Sequence, residues 1–341
     1  MNSSKLIQEQ VSMFQESLAK VSPAKQCLAS QKLDILRDRG VMLAACRQFF
    51  QDKGVLEVDC PYITRKASID THIDLIEVVD SPLRYLHTSP EYCMKRLLSE
   101  GIGDIYQLGH VFRKGEYSSK HNPEFTMAEW YREGLSFEGM IEETIEFIQL
   151  FLGKIPHKVM SYRDVFIKYL GIDYLKATDE MLLAYMNSRS LSPYPGAEEE
   201  GKDGLLNILL GSFIEPSLGT EGELLVLAYY PSSQAALART CVRDGENVAK
   251  RFEIYYQGVE LCNGYHELLD AKELEKRFKE RNAMRLKLGK NALPIDESFL
   301  QAIDKGLPDA SGVAVGFDRL MMLRHKADCL AKVLPFDWEN A

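Results

Sequence analysis

Phe112-Arg113-Lys114-Gly115-Glu116 and, five residues further on, His121-Asn122-Pro123-Glu124-Phe125-Thr126 make a polar loop with an arginine at its entry and an aromatic residue near its exit. A strand that ends in arginine, followed by a loop and a returning strand, can clamp a phosphate. The planar guanidinium fork donates two hydrogen bonds to phosphate oxygens at once. Singly, Arg113 reads as a surface ion-pair partner and Phe125 as core; the dense run from His121 to Thr126 exceeds what packing requires. A second segment, Ser311-Gly312-Val313-Ala314-Val315-Gly316-Phe317-Asp318-Arg319, lets backbone approach a ligand closely and places an arginine that can stack on an aromatic base. In a third, Glu260-Leu261-Cys262-Asn263-Gly264-Tyr265-His266-Glu267, two carboxylates flank an amide. Such a set can hold magnesium or a substrate ammonium. The fourth, Ser89-Pro90-Glu91, is also simply a good helix start.

Other patterns fail. Gly196 to Lys202 has P-loop spacing, but no Ser or Thr follows the lysine and three glutamates would repel phosphate. His266-Glu267 lacks the second histidine of a zinc-protease helix, and Gly101-Ile102-Gly103 lacks the third glycine of a dinucleotide loop.

The elements that must position these residues follow from pattern and punctuation. Apolar spacing predicts a helix over Ile35–Phe50 with Gly54 as its stop, then a strand over Val55–Val58. Strands are expected at Tyr106–Phe112, Phe125–Tyr131, Glu223–Tyr230, Glu253–Leu261 and Gly312–Gly316, with a helix from Asp318. Ser136 predicts the cap of a long helix ending at Gly153, and 271–288 reads as a solvated helix. The mixture predicts an α+β fold with a largely antiparallel sheet flanked by helices. Residues 1–32 read as a polar extension and 33–341 as the domain that holds the four segments.

With 45% hydrophobic residues in 341, the chain can build a large core. Its 50 acidic and 41 basic residues give a net charge of −9, so the totals show no strongly basic surface for nucleic acid. The seven cysteines are scattered and never form a C-x-x-C pair, which suggests neither a disulfide framework nor a zinc ribbon. No apolar run reaches the roughly 18 residues of a membrane span. The first residues have no signal-peptide pattern, and a cytoplasmic protein is expected.

Taken in order, the segments resemble the class II aminoacyl-tRNA synthetases. Phe50 to Pro61 is similar to their motif 1, the Phe112-Arg113 loop to motif 2, and Gly312 to Arg319 to motif 3. Within that family His121-Asn122-Pro123-Glu124-Phe125-Thr126 resembles the lysyl subclass most. The resemblance implies that Arg113 holds the ATP α-phosphate and that Phe125 and Arg319 sandwich the adenine. Lys114, Gly115, Glu116, Asn122, Leu261 and Gly316 would complete the nucleotide site. Glu260 would carry Mg2+, with Glu267 as a second metal candidate. Ser89, Pro90, Glu91, Tyr131, Asn263, Glu267 and Ala314 would bind the amino acid. Arg113, Glu260 and Arg319 would be the catalytic set. Many relatives carry Glu two residues after the motif 2 arginine; here Gly115 stands there, with Glu116 next.

The thirty-two residues before this domain are too few for the anticodon-binding barrel of a tRNA-charging lysyl enzyme, so tRNA is not the expected acceptor. Through Thr88 to Arg96, Pro231 to Ala235 and Tyr255 to Glu267 the chain resembles short lysyl-synthetase paralogues. These attach lysine or (R)-β-lysine to translation elongation factor P. Ala314, where charging relatives usually have glycine, fits a reshaped amino-acid pocket. The resemblance also implies a homodimer. The rival expectations are a truncated lysyl-tRNA synthetase and an amino-acid sensor.

Overall fold

The computed structural model describes residues 23–197, 199–220 and 222–341. Most of the extension anticipated over residues 1–32 therefore lies outside the described residues. Helix α1 (Pro23–Asp52) is longer than its apolar pattern suggested and stops at Gly54, φ +70°, a left-handed position that glycine takes without strain. Strand β1 (Leu56–Glu57) follows, then β2 (Ile63–Thr64), β3 (Glu77–Val78) and β4 (Arg84–Leu86), which form a small sheet of their own. After α2 (Glu91–Ser99) come the paired strands β5 (Ile105–Phe112) and β6 (Glu124–Glu133), then α3 (Phe137–Leu152). Ser136 caps α3 by accepting from the Gly139 amide at 3.0 Å, as its sequence predicts.

Next are β7 (His157–Ser161), α4 (Tyr162–Leu170), α5 (Asp179–Ser188), α6 (Lys202–Leu209), β8 (Leu224–Pro231) and β9 (Thr240–Arg243). The last third holds β10 (Glu246–Tyr256), β11 (Val259–His266), α7 (Ala271–Lys287), α8 (Glu297–Gly306), β12 (Ala310–Gly316) and α9 (Phe317–Arg324). The main sheet runs β1-β5-β6-β12-β11-β10-β8-β7, with β9 on β10. Only the pairs β1/β5 and β7/β8 among these are parallel, so the sheet is largely antiparallel.

One expected strand is two. The run Glu253–Leu261 breaks at Gln257 and Gly258, both with positive φ (+51° and +68°), and the chain turns back as a β10/β11 hairpin. Two successive left-handed residues suit the right-handed twist of the flanking strands.

One face of the sheet is covered by α1, α3 and α9 around a fully buried aromatic group, in which Phe50 stacks on Tyr106 at 4.1 Å and meets Trp130 and Phe147 edge-on or tilted. A buried ion pair, Arg39 to Asp318 at 2.5 Å, ties α1 to α9. Asp318 also accepts from the Thr126 amide at 2.7 Å, which fixes β6 to the same point. On the other side, α4 to α6 pack over β8 and β10, and α2, α7 and α8 form a third cluster that includes Tyr92, Phe278 and Phe299. The central strands keep their opposite face for a cleft.

Candidate active site

The cleft encloses about 1480 Å³. Its floor is written by strand register. One row across the sheet reads Ile105, Tyr131, Gly312, Tyr265, Arg251; the next reads Gln107, Glu129, Ala314, Asn263, Glu253. Glu260 would lie on the opposite face from Asn263 in a regular strand, since side chains alternate. The register shifts between Ile254 and Tyr255, so that Cys262 pairs with Ile254 while Glu260 pairs with Tyr255. This bulge leaves Leu261 as the extra residue and turns Glu260 into the cleft, while Leu261 itself is buried in the core.

At one end of the cleft stands an amine-sized acidic pocket. Ser89 Oγ donates to Glu129 Oε2 at 2.7 Å, and Tyr131 Oη donates to Glu129 Oε1 at 2.7 Å. Ser89 Oγ also accepts from the Glu91 amide at 2.9 Å, anchoring the start of α2 beside Pro90. Lys95 Nζ lies 2.6 Å from Glu91 Oε1 and 2.5 Å from Glu267 Oε2. Burial, and then the charge of Glu91, push the Glu129 carboxyl up to about 8. Burial likewise raises Glu267 to about 7 against the pull of Lys95. Although burial works against its charge, Glu267 and Glu91 hold Lys95 above the ordinary lysine value.

The other end is built for anions. Arg113 follows β5 directly, its amide donating to the Pro123 carbonyl at 2.8 Å, and its guanidinium lies 5.1 Å from the Phe125 ring centre. Its Nε is buried with no hydrogen-bond partner among the described residues, a donor suited to an incoming oxygen. Glu116 reaches Arg113 at 3.7 Å, so the acidic contact in this loop comes from Glu116. Gly115 instead supplies a turn at φ +78°, next to the exposed Lys114. Arg319 Nη1 donates to the Glu260 carbonyl at 2.8 Å, and its Nη2 donates to His121 Nε2 at 2.8 Å. Burial, followed by Arg319 itself, lowers His121 to about 4, so the imidazole stays neutral and can accept that bond. Gly316 starts α9 one turn before Arg319.

Not every expected residue reaches the cleft. The Asn122 side chain is buried and spent on backbone, donating to the Glu124 carbonyl at 2.7 Å and accepting from the Trp338 amide at 2.9 Å. Phe125 is faced by Arg113, while Arg319 is engaged with His121 and Glu260. Glu267 has Lys95, Glu91 and Arg239 as its charged neighbours, whereas Glu260 has Glu253, Arg319 and Arg113. The two metal candidates thus sit in different surroundings.

Among the described residues no three His, Cys, Asp or Glu side chains form a metal cage. Glu260 with Glu253 behind it still fits magnesium, which is commonly held by one or two carboxylates together with phosphate oxygens and water. The walls of the cleft, then Glu253, raise the Glu260 carboxyl, and a cation would relieve that repulsion. Glu253 is itself well anchored, 2.6 Å from Arg251 and accepting from Tyr230 and Tyr255 at 2.6 Å each.

Lys95, Glu129, Arg251 and Glu253 belong to the site although none was singled out for a role from sequence. For two of them the sequence carried a signal: Lys95 is four residues after Glu91 on a helix, and Glu129 is two before Tyr131 on a strand.

Against known families, residues 24–339 match the tRNA synthetases class II (D, K and N). Among curated proteins, the chain is 40% identical over 319 residues to an elongation factor P–(R)-β-lysine ligase of Pasteurella multocida, covering 92% of this chain and 97% of that one. It is 41% identical over 313 residues to the protein of the same name from Edwardsiella ictaluri, covering 90% and 95%. The Salmonella typhi protein of that name is 40% identical over 319 residues, covering 92% and 97%. Matched along nearly its whole length, the chain belongs to the class II tRNA synthetase family of the D, K and N type.

Proposed function

We propose that the chain activates (R)-β-lysine with ATP and transfers the acyl group to a lysine side chain of elongation factor P. The observation that carries this reading is one cleft with a three-carboxylate amine pocket at one end and the partnerless Arg113 donor at the other. The relatives' shared name supplies the acceptor and the β-amino acid.

The substrate carboxylate attacks the α-phosphorus of ATP and the bond to pyrophosphate breaks. A lysine ε-amine of the acceptor then attacks the adenylate carbonyl, an amide forms, and AMP leaves. Arg113 binds the α-phosphate, and positioning together with charge neutralisation provides the rate enhancement. Phe125 and Arg319 hold the adenine, which requires Arg113 to swing from the Phe125 ring toward phosphate. Asn122 and Leu261 serve the nucleotide by shaping the motif 2 loop and the β11 bulge. Magnesium held by Glu260 would neutralise the phosphates, and Glu267 is assigned to the amine end. Glu91, Glu129 and Glu267 receive the substrate amino groups, with Ser89 and Tyr131 orienting Glu129 and Asn263 lining the floor. The Ala314 methyl, between Glu129 and Asn263 in the floor row, shortens the pocket and favours the β-amino acid over lysine. Among the described residues no helix is long and apolar enough to cross a membrane, and a cytoplasmic location accords with a translation factor as acceptor.

The test offers ATP, magnesium and either (R)-β-lysine or lysine to the protein, with elongation factor P and lysine tRNA as competing acceptors. The expected outcome, read by intact mass, is one lysyl-sized adduct on the factor, formed faster with (R)-β-lysine, and uncharged tRNA. Charged tRNA with an unmodified factor would refute the reading.

A further inference from the structure

Lys95 is the least expected charge in the molecule. Its side chain is 2% exposed, on the inner face of α2, and it lies between two carboxylates on different elements. Glu91 is on α2 itself, and Glu267 follows β11; Glu129 and Tyr131, on β6, complete the surroundings, with the Lys95 ammonium 5.7 Å from the Tyr131 ring centre. A buried ion pair serving stability alone is a weak design, because desolvation offsets most of the attraction.

The distribution of partners suggests another use. Lys95 takes one oxygen of Glu267, while Oε1 of the same carboxylate is buried, without a partner among the described residues, and lies over Gly312 on the cleft floor. It takes Oε1 of Glu91 as well, and Glu91 lines the cleft. Three carboxylates gathered without an internal cation would repel one another.

We propose that Lys95 is a specificity-determining positioning residue, a built-in ammonium that holds Glu91 and Glu267 one cation apart and leaves their free oxygens to receive the substrate's amino groups. The inference rests on the proposed activation of a diamino acid. Held charged by its two partners, Lys95 is also kept from attacking the adenylate in place of the acceptor lysine.

The test is amino-acid-dependent pyrophosphate exchange, with KM measured separately for (R)-β-lysine and for ATP. Lys95→Ala is expected to raise the amino-acid KM by about tenfold or more with little change in the ATP KM, a split that general unfolding would not give. Propylammonium, which replaces the missing carbons and nitrogen, should restore much of the loss, and tetramethylammonium at equal concentration should not. An unchanged amino-acid KM, or equal effects of the two salts, would overturn the proposal. Should Lys95→Ala fail to fold, Lys95→Met combined with Glu267→Gln removes both members of the buried pair. The amino-acid KM should then rise further than in Glu267→Gln alone, because Glu91 also loses its cation, while the ATP KM stays near the parent value. An amino-acid KM equal to that of Glu267→Gln alone would overturn the proposal. A parent enzyme that exchanges pyrophosphate with neither diamino acid would instead defeat the functional reading, and this inference with it.

Discussion

Glu129 accepts hydrogen bonds on both oxygens, yet its carboxyl is pushed from an ordinary 4.5 to about 8. Two hydroxyl donors favour the charged form less than complete burial and the neighbouring Glu91 disfavour it. A carboxyl raised on folding keeps a proton that the unfolded chain releases. The stability it contributes is therefore fully present below pH 4.5 and is lost as pH rises through about 8. An amine ligand has the reverse preference, because it needs the carboxylate. Binding of (R)-β-lysine should release protons, and its KM should fall as pH is raised from about 6 to about 8.5. In Glu129→Gln the KM should be higher and its decline over this interval much smaller, with Glu267, at about 7, supplying what remains. Pyrophosphate exchange across this pH range measures both. A parent KM that does not vary with pH would exclude Glu129 as the titrating group.

Elements turn such residues into a site, and here the sheet does so through its smallest side chains. A Cβ at Gly312 would overlap the Tyr131 ring and stand 2.7 Å from Glu267 Oε1. Gly312→Ala should therefore displace both, destabilising the fold by about 1–3 kcal/mol as overpacked sites do. The amino-acid KM should rise while the ATP KM stays near the parent value. Thermal unfolding with the two KM values tests this, and a variant indistinguishable from the parent would mean that Tyr131 yields freely. The same sheet explains what could be read in the sequence. The β5/β6 pair and α3 were legible because their signals are local: two strand-like runs on either side of a charged loop, a Ser136 cap, a Gly153 stop. Arg113 and Phe125 were legible because one short stretch, the loop 113–123 and the start of β6, carries both. The β10/β11 turn was missed because Tyr255, Tyr256 and Val259 continue an apolar run across Gln257-Gly258, and only the glycine hinted at a reversal. Lys95 and Glu253 look ordinary in their own segments. Their role arises from the β10–β11–β12–β6 register and from α2 lying over it, which no single segment contains.

At the scale of the whole molecule, the β1 end of the main sheet combines an open strand edge with exposed apolar side chains. Leu33 and Val41 on α1 are 54% and 63% exposed, and Leu56 on β1, against which α1 packs, is 52% exposed. β1 is only two residues long and pairs with β5 alone, which leaves its outer edge open among the described residues. An open edge flanked by exposed apolar side chains fits a protein–protein contact, and it coincides with the segment that resembles motif 1. We therefore expect a homodimer through this face. The face is also mechanically close to the site. Phe50 on α1 stacks on Tyr106, whose neighbours Ile105 and Gln107 stand beside Tyr131 and Glu129 in the floor rows. Light scattering at micromolar concentration should give twice the 38.8 kDa chain mass. Val41→Asp with Leu56→Asp should give the monomer, with weaker amino-acid binding because β5 has lost its outer support. A parent that is monomeric under these conditions would remove the dimer. A parent dimer that survives both substitutions would place its interface elsewhere and leave β5 braced by β1 and α1 of its own chain.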